Sequence, residues 1–314
     1  MPAIPPVVND LLPGVSVTPR VVETALGPVE YGLTDGAGQV VLASHGGSGG
    51  VDQARLMLNW LDPGRYRLLS CSRPGYLGTP LRSGGTFEQQ ADLFAALLDT
   101  LGVHRAAVVT LSAGGPAGYL LAARHPDRVS ALVAISSVTG RYDMPETAGL
   151  LERALFLSHR GQQLTQLIAR RWPAWLLRQT FQGTAHYTAR QLGEQMEYVL
   201  RSPDSVAFLQ ALIATMNPYR PRIPGNNNDM ALFRDLGALP LSQVRCPTLV
   251  VHGTHDADVK FWHGVRAYEG VSGAHRVWIE DGSHLGFWLG PHAAQAQGAA
   301  REFLGRAMLE EADR

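Results

Sequence analysis

Apolar positions follow two rhythms along this chain. Up to about position 140, and again from about 240, short β-branched and aliphatic runs alternate with longer stretches of helical period. Residues 21–25 and 29–33 read as a hairpin turning across Gly27-Pro28, and 39–44, 66–70, 105–111 and 129–136 read as further strands. Between them, 52–61 places Leu56, Met57 and Trp60 on one helical face, and 87–101 does the same with Phe87, Ala91, Phe94, Leu97, Leu98 and Leu101. Residues 117–124 read as a helix with Pro116 in its first turn, where a missing N–H costs little. Towards the C-terminus, 247–253 and 276–279 read as two more strands. Strands alternating with helices predict an α/β fold, a mostly parallel, doubly wound sheet with helices on both faces. In such sheets ligands bind beyond the carboxyl ends of the strands.

From about 141 to 239 the strand rhythm stops. Leu150, Leu151, Ala154 and Leu155, then Leu164, Leu167 and Ile168, then 206–216 keep helical spacing, punctuated by Pro145, Pro173, Pro203, Pro218, Pro221 and Pro224. The expected division is a proline-rich N-terminal arm over 1–18, a core over 19–140 and 240–314, and an inserted helical cap over 141–239. A cap over the carboxyl edge of the sheet closes a pocket and excludes water. Residues 218–229, with three asparagines in a row from Asn226, read as a loop.

Composition narrows the partners more than the chemistry. Across 314 residues, 27 Lys+Arg balance 27 Asp+Glu, which speaks against nucleic acid because phosphate binding draws on a basic excess. No apolar run approaches the length of a spanning helix, so no membrane is expected, and 1–6 lack the basic-then-apolar pattern of a secretory signal. Cys71 and Cys246, the only cysteines, read as buried free thiols in a reducing cytoplasm. A small-molecule substrate, handled by a monomer or homodimer, is the expected partner.

Candidate chemistry gathers after the strands. The run Val108-Val109-Thr110-Leu111-Ser112-Ala113-Gly114-Gly115 ends an apolar strand in a serine, and small residues and a helical pattern follow at once. A serine on such a sharp turn is presented as a nucleophile, and the next amide points at the same spot. The pattern expected is Gly-x-Ser-x-Gly, and Thr110 stands where the first glycine would be. A serine hydroxyl needs a histidine to take its proton and an acid to orient that histidine. Asp256 and Asp258 follow the strand that ends at Gly253, and 276–279 runs into Gly282-Ser283-His284. Ser112 is thus the candidate nucleophile and His284 the candidate base, with Asp256 or Asp258 as the acid. Acyl transfer also builds charge on a carbonyl oxygen, which two backbone N–H donors must meet. The turn His45-Gly46-Gly47-Ser48-Gly49-Gly50 offers Gly47 N–H as one donor, and Ala113 N–H is the other.

Plainer roles suit the neighbouring residues. His45 is expected to support its own loop, and His255 follows its strand too closely to reach over Ser112. The two histidines His252 and His255, beside Asp256, are three positions apart and lack the helical i, i+4 spacing of paired histidine ligands, so no metal is expected. The glycine-rich turn has no Gly-Lys-Ser/Thr ending, so no phosphate cofactor is expected either. Trp172, Trp175, Phe181, Tyr187 and Tyr198 read as packing residues of the cap, with one or two of them lining an apolar pocket.

With the order nucleophile, acid, histidine, the chain resembles the α/β-hydrolase superfamily, of the serine-nucleophile type with a helical cap. The resemblance rests on His45-Gly46-Gly47, on Ser112 in its elbow, on Gly253-x-x-Asp256 and on Gly282-Ser283-His284, and spans roughly residues 20 to 310. The family spacing Gly253-x-x-Asp256-x-x-Val259 favours Asp256 over Asp258. Related hydrolases carry an acid and a serine around the loop 73–78, where this chain has Ser72 and Thr79. That loop is expected to shape the oxyanion turn rather than touch substrate. The resemblance implies a hydrolase of small to medium, fairly apolar carboxylic esters, working through an acyl-enzyme. Carbon–carbon bond hydrolases, aminopeptidases of the proline iminopeptidase type and cofactor-free perhydrolases share the triad. The iminopeptidases carry a tryptophan where this chain has Ala113. Dehalogenases and epoxide hydrolases want aspartate at 112. A ligand-binding sensor on the same fold is the alternative outside enzymes.

Overall fold

The computed structural model describes residues 12, 14–142 and 171–312. Eight strands form one sheet: β1 (Arg20–Thr24), β2 (Gly27–Leu33), β3 (Gln39–Ser44), β4 (Tyr66–Cys71), β5 (Ala106–Leu111), β6 (Val129–Ile135), β7 (Thr248–Gly253) and β8 (His275–Ile279). Their spatial order is β1-β2-β4-β3-β5-β6-β7-β8. Both pairings of β2 are antiparallel, and every pairing from β4 across to β8 is parallel. Thr24 pairs with Gly27, so the first hairpin turns at Ala25-Leu26 and not across Gly27-Pro28. Gly27 closes that tight turn at φ 123°, a value that favours glycine.

The parallel strands read as unbroken apolar runs because both of their faces are covered. Val41, Ala43, Val109, Leu111, Val133 and Ile135 belong to one apolar layer, and Val40, Leu42, Val108, Leu132 and Ala134 to the other. The helices of the fold are α1 (Val51–Met57), α2 (Phe87–Thr100), α3 (Gly115–Arg124), α4 (Pro173–Thr184), α5 (Ala189–Arg201), α6 (Pro203–Ala214), α7 (Ile223–Arg234), α8 (Trp262–Gly270) and α9 (Ala293–Ala312). The first layer packs on α1 and α9, the second on α2, α3 and α8. α2 starts where the sequence Thr86-x-x-Gln89 closes a capping box, satisfying two otherwise orphaned N–H groups.

This topology locates a crevice. From β3 the chain moves outward to β4, then crosses back to place β5 on the other side of β3. The loops leaving β3 and β5 therefore diverge, and the gap between them is where an open α/β sheet receives its ligand.

Between β6 and β7 the described residues are helical. Thr188 with Gln191 caps α5, and Ser202 caps α6. Leu176, Phe181, Leu209 and Leu212 join the same apolar cluster as Val109 and Leu111, so these helices share the core of the sheet's first face. The helical patterns expected around Leu150 and Leu164, and residues 1–11 of the expected arm, lie outside the described residues. The loop expected over 218–229 is a short turn, Arg220–Arg222, leading into α7. Pro224 occupies the first turn of α7, where it is tolerated, and Asn226 and Asp229 face buried partners across the molecule. Those tertiary bonds override the turn preference of asparagine. Cys71 and Cys246 are free and buried. Among the described residues no helix is long and apolar enough to cross a membrane.

Candidate functional site

β5 carries Ser112 to the crevice and stops there, because Ser112 takes φ 52°. That left-handed conformation costs an ordinary residue about 1–2 kcal/mol and is held by what surrounds it. A Cβ at Gly114 would stand 2.3 Å from the Ser44 carbonyl oxygen, so the turn admits only glycine there. Thr110 fits where glycine was expected for two reasons. Its Oγ1 lies 2.7 Å from Ser137 Oγ in a hydrogen bond, and its methyl occupies space left by Gly118, where a Cβ would sit 2.0 Å from Thr110 Cγ2.

The loop after β3 is held by two buried arginines. Arg73 Nε donates to His45 O at 3.0 Å and its Nη2 to Gly46 O at 3.3 Å, while the guanidinium grips Asp229 of α7 at 2.9 and 2.6 Å. Arg222 donates to Gly49 O at 2.6 Å and grips Asp52 at 3.1 and 2.7 Å. Both guanidinium groups are fully buried, so each needs its carboxylate. Burial, and then the charge of Arg73, hold the His45 pKa well below its ordinary value. Its Nε2 accepts from Arg73 N–H at 2.9 Å, so Nδ1 carries the hydrogen and donates to Gly46 O at 2.7 Å. The Gly46 carbonyl is thus pulled to one side by two donors. A trans peptide is planar, so the Gly47 N–H points to the other side. Gly47 and Ala113 both line the cavity that holds Ser112.

Asp256 sits in the turn after β7. Its Oδ1 accepts from the N–H groups of Asp258 and Val259 at 3.0 and 2.9 Å, and its Oδ2 from His284 Nδ1 at 2.9 Å. His252 Nε2 lies 3.3 Å from the same Oδ2. Burial alone would raise the Asp256 pKa, but His284 and His252 outweigh it and hold the carboxylate below its usual range. Burial pulls the His284 pKa down, yet the carboxylates of Asp256 and Asp258 prevail and raise it to about 9. Asp258 lies on the other side of the ring, with its Oδ2 3.5 Å from His284 Nε2. Its Oδ1 accepts from Tyr142 O–H. No hydrogen bond joins Ser112 Oγ to His284, though both face one cavity, and such contacts often close only with substrate bound.

That cavity measures about 270 Å³ and is walled by Val138, Leu209, Leu212, Ile213, Met230 and Phe233 among others. Among the described residues its only charged or titrating neighbours are Asp258, His284 and Tyr142. The expected site residues are thus brought together, with Asp256 behind His284. Of the five cap aromatics read as packing residues, one or two were expected to line the pocket and none does: Trp172, Trp175 and Tyr198 are exposed, Phe181 is buried in the core, and Tyr187 O–H donates to Asp281 O. His255 stands apart, 3.4 Å from Asp281. Among the described residues no cluster of three or more His, Cys, Asp or Glu could hold a metal ion.

Sequence reasoning missed several neighbours of the site. Asp229 and Asn226 lay in the misread loop, and Tyr142 belongs to no motif. His252 had a signal, a polar residue ending an otherwise apolar strand. Ser72, standing where an acid was expected, donates to Glu30 Oε2 at 2.6 Å, so the adjacent strand β2 supplies the carboxylate.

Residues 39–291 match the model of the alpha/beta hydrolase fold family. An alpha/beta hydrolase fold protein from Nakamurella multipartita superposes with a TM-score of 0.87 at 38% identity, covering 92% of this chain and 99% of that one. The uncharacterized hydrolase YcgS of Bacillus subtilis (strain 168) is 27% identical over 279 residues, 88% of this chain and 95% of its own. A 2-hydroxy-6-oxononadienedioate/2-hydroxy-6-oxononatrienedioate hydrolase of Burkholderia vietnamiensis (strain G4 / LMG 22486) is 26% identical over 247 residues, 77% of each chain.

Proposed function

Because the chain belongs to the alpha/beta hydrolase family, and is a hydrolase of that fold, we propose that it is a serine hydrolase cleaving small to medium, fairly apolar carboxylic esters through an acyl-enzyme. The observation that carries this reading is Ser112, at φ 52° on the end of β5, sharing an apolar cavity with a histidine whose Nδ1 is bound by Asp256. His284, when neutral, takes the Ser112 proton as Oγ attacks the ester carbonyl. Asp256 keeps the hydrogen on Nδ1, leaving Nε2 free to accept, and stabilises the imidazolium that forms. The amides of Gly47 and Ala113 meet the developing oxyanion. His284 then returns the proton to the leaving alcohol and activates the water that releases the acid. The helices between β6 and β7 act as a cap that excludes bulk water.

A fluorophosphonate probe should label Ser112, and Ser112→Ala should abolish turnover of p-nitrophenyl acetate. Full activity in that variant would sink the proposal. A carbon–carbon bond hydrolase using the same residues is the second reading, favoured by the Burkholderia vietnamiensis relative. Turnover of β-diketones in place of esters would establish it.

A further inference from the structure

We propose that Asp258, fixed in the cavity wall by Tyr142, is a specificity-determining residue that selects substrates carrying a cationic amino group close to the scissile carbonyl and rejects those carrying a carboxylate there. The inference rests on Ser112 and His284 being the reacting groups. Three observations lead to it.

First, Asp258 is not needed to orient the histidine. Asp256 already binds Nδ1, and what Asp258 gives to Asp256 is a backbone N–H that any residue could supply. Second, its carboxylate is aimed. One oxygen accepts from Tyr142 O–H, and the Tyr142 ring packs edge-on against Phe233, with centroids 5.4 Å apart. The other oxygen lies 3.5 Å from His284 Nε2, the atom that exchanges a proton with nucleophile and leaving group. A ligand group paired with that oxygen therefore sits beside the reacting carbonyl. Third, the wall around it holds no permanently charged cation among the described residues. Among the described residues no lysine or arginine lines the cavity, and its other polar side chains, such as Gln53, Gln179, Thr184 and Asn226, are neutral. A substrate carboxylate would face Asp258 with His284 as the only cationic neighbour among the described residues, and pairing with that ring would hold its proton and keep the base from acting. A substrate cation would instead replace the His284 proton as the partner of Asp258, leaving Nε2 free to act as base.

The test compares aryl esters of equal acyl length ending in trimethylammonium, tert-butyl or carboxylate, with a second set carrying those groups on the alcohol side. In one of the two sets the wild type should show a kcat/KM for the cationic ester about tenfold to a hundredfold above its neutral isostere, with the anionic ester lowest. Asp258→Asn should bring the three values together. Tyr142→Phe, which keeps the charge and frees its direction, should narrow the gap part way. Fluorophosphonate labelling of Ser112 checks that each variant is folded. Equal rates for cationic and neutral esters in both sets of wild type would overturn the inference, as would an unchanged ratio in a labelled Asp258→Asn. If wild type neither labels at Ser112 nor turns over any ester, the serine-hydrolase reading fails and this inference falls with it.

Discussion

The two sides of the crevice are built on opposite principles. On the side of the loop after β3, the turn is tied down largely by buried charge: Arg73 to Asp229, Arg222 to Asp52, and the carbonyls of His45, Gly46 and Gly49 to those guanidinium groups. Nothing there needs to titrate for the loop to hold its shape. On the side of the histidine, one imidazole stands between two carboxylates, and its proton decides what the site can do. A donor that stabilises charge works best when it cannot move. A base must gain and lose a proton within each turnover. The contrast teaches that variants on the first side should act through stability and geometry, and on the second through protonation.

The largest effect is expected at Asp256. Asp256→Asn keeps the shape of the turn but no longer favours hydrogen on His284 Nδ1. It should lower kcat by about 10⁴-fold in steady-state ester hydrolysis, with a thermal unfolding midpoint that falls but leaves the variant folded at the assay temperature. Loss of fold together with activity would mean that Asp256 serves mainly to hold the turn.

Arg73 comes next and separates stability from geometry. Arg73→Met leaves the buried Asp229 carboxylate without its cation, with only the neutral Tyr76 O–H still donating to it, and should cost about 3–5 kcal/mol in urea denaturation. Adding Asp229→Leu removes the orphaned charge and should restore part of that stability, the buried Tyr76 O–H losing its acceptor in turn. It should not restore kcat, because the Gly46 carbonyl still lacks one of its donors and the Gly47 N–H is no longer pinned. A kcat deficit of about tenfold to a hundredfold with little change in KM is expected in the double variant. Full recovery would make Arg73 a structural residue only.

A smaller effect tests the elbow, and it bears on what the sequence could disclose. Gly118→Ala should cost about 1–3 kcal/mol, because its Cβ meets the Thr110 methyl. Thr110→Ser, which removes that methyl and keeps the hydroxyl for Ser137, should rescue it. Ser112, Asp256 and His284 were legible because each follows a strand whose apolar run is plain in the sequence. The fit of Thr110 was not, since the space it uses belongs to a helix residue that reaches it only after β5 and α3 pack. The helix over 223–234 was misread for a related reason. Its asparagines suggest a turn locally, while the partners that fix it, Ser48 and Arg73, lie 178 and 156 positions away in the chain. Tyr142 found its partner Asp258 in the same way, across 116 positions.

The smallest effect is a displacement along the pH axis. The groups facing His284 are Asp256 and Asp258, with His252 behind the first and Tyr142 behind the second. Their net effect raises the folded-state pKa of His284 to about 9, above the ordinary 6.5. Only the neutral imidazole can accept the Ser112 proton, so kcat/KM for a neutral ester should rise with pH to a midpoint near 9. The same raised pKa means that protonated His284 stabilises the fold. That stabilisation is complete below about 6.5 and is lost as pH climbs through about 9. Asp258→Asn removes one of the two carboxylates and should move the kinetic midpoint down by about 1–2 units. The double variant at Arg73 and Asp229 should leave that midpoint where it was, although it lowers kcat at every pH. If the two variants moved the midpoint alike, the two sides of the crevice would be one electrostatic unit, and the division between a fixed side and a titrating side would be lost.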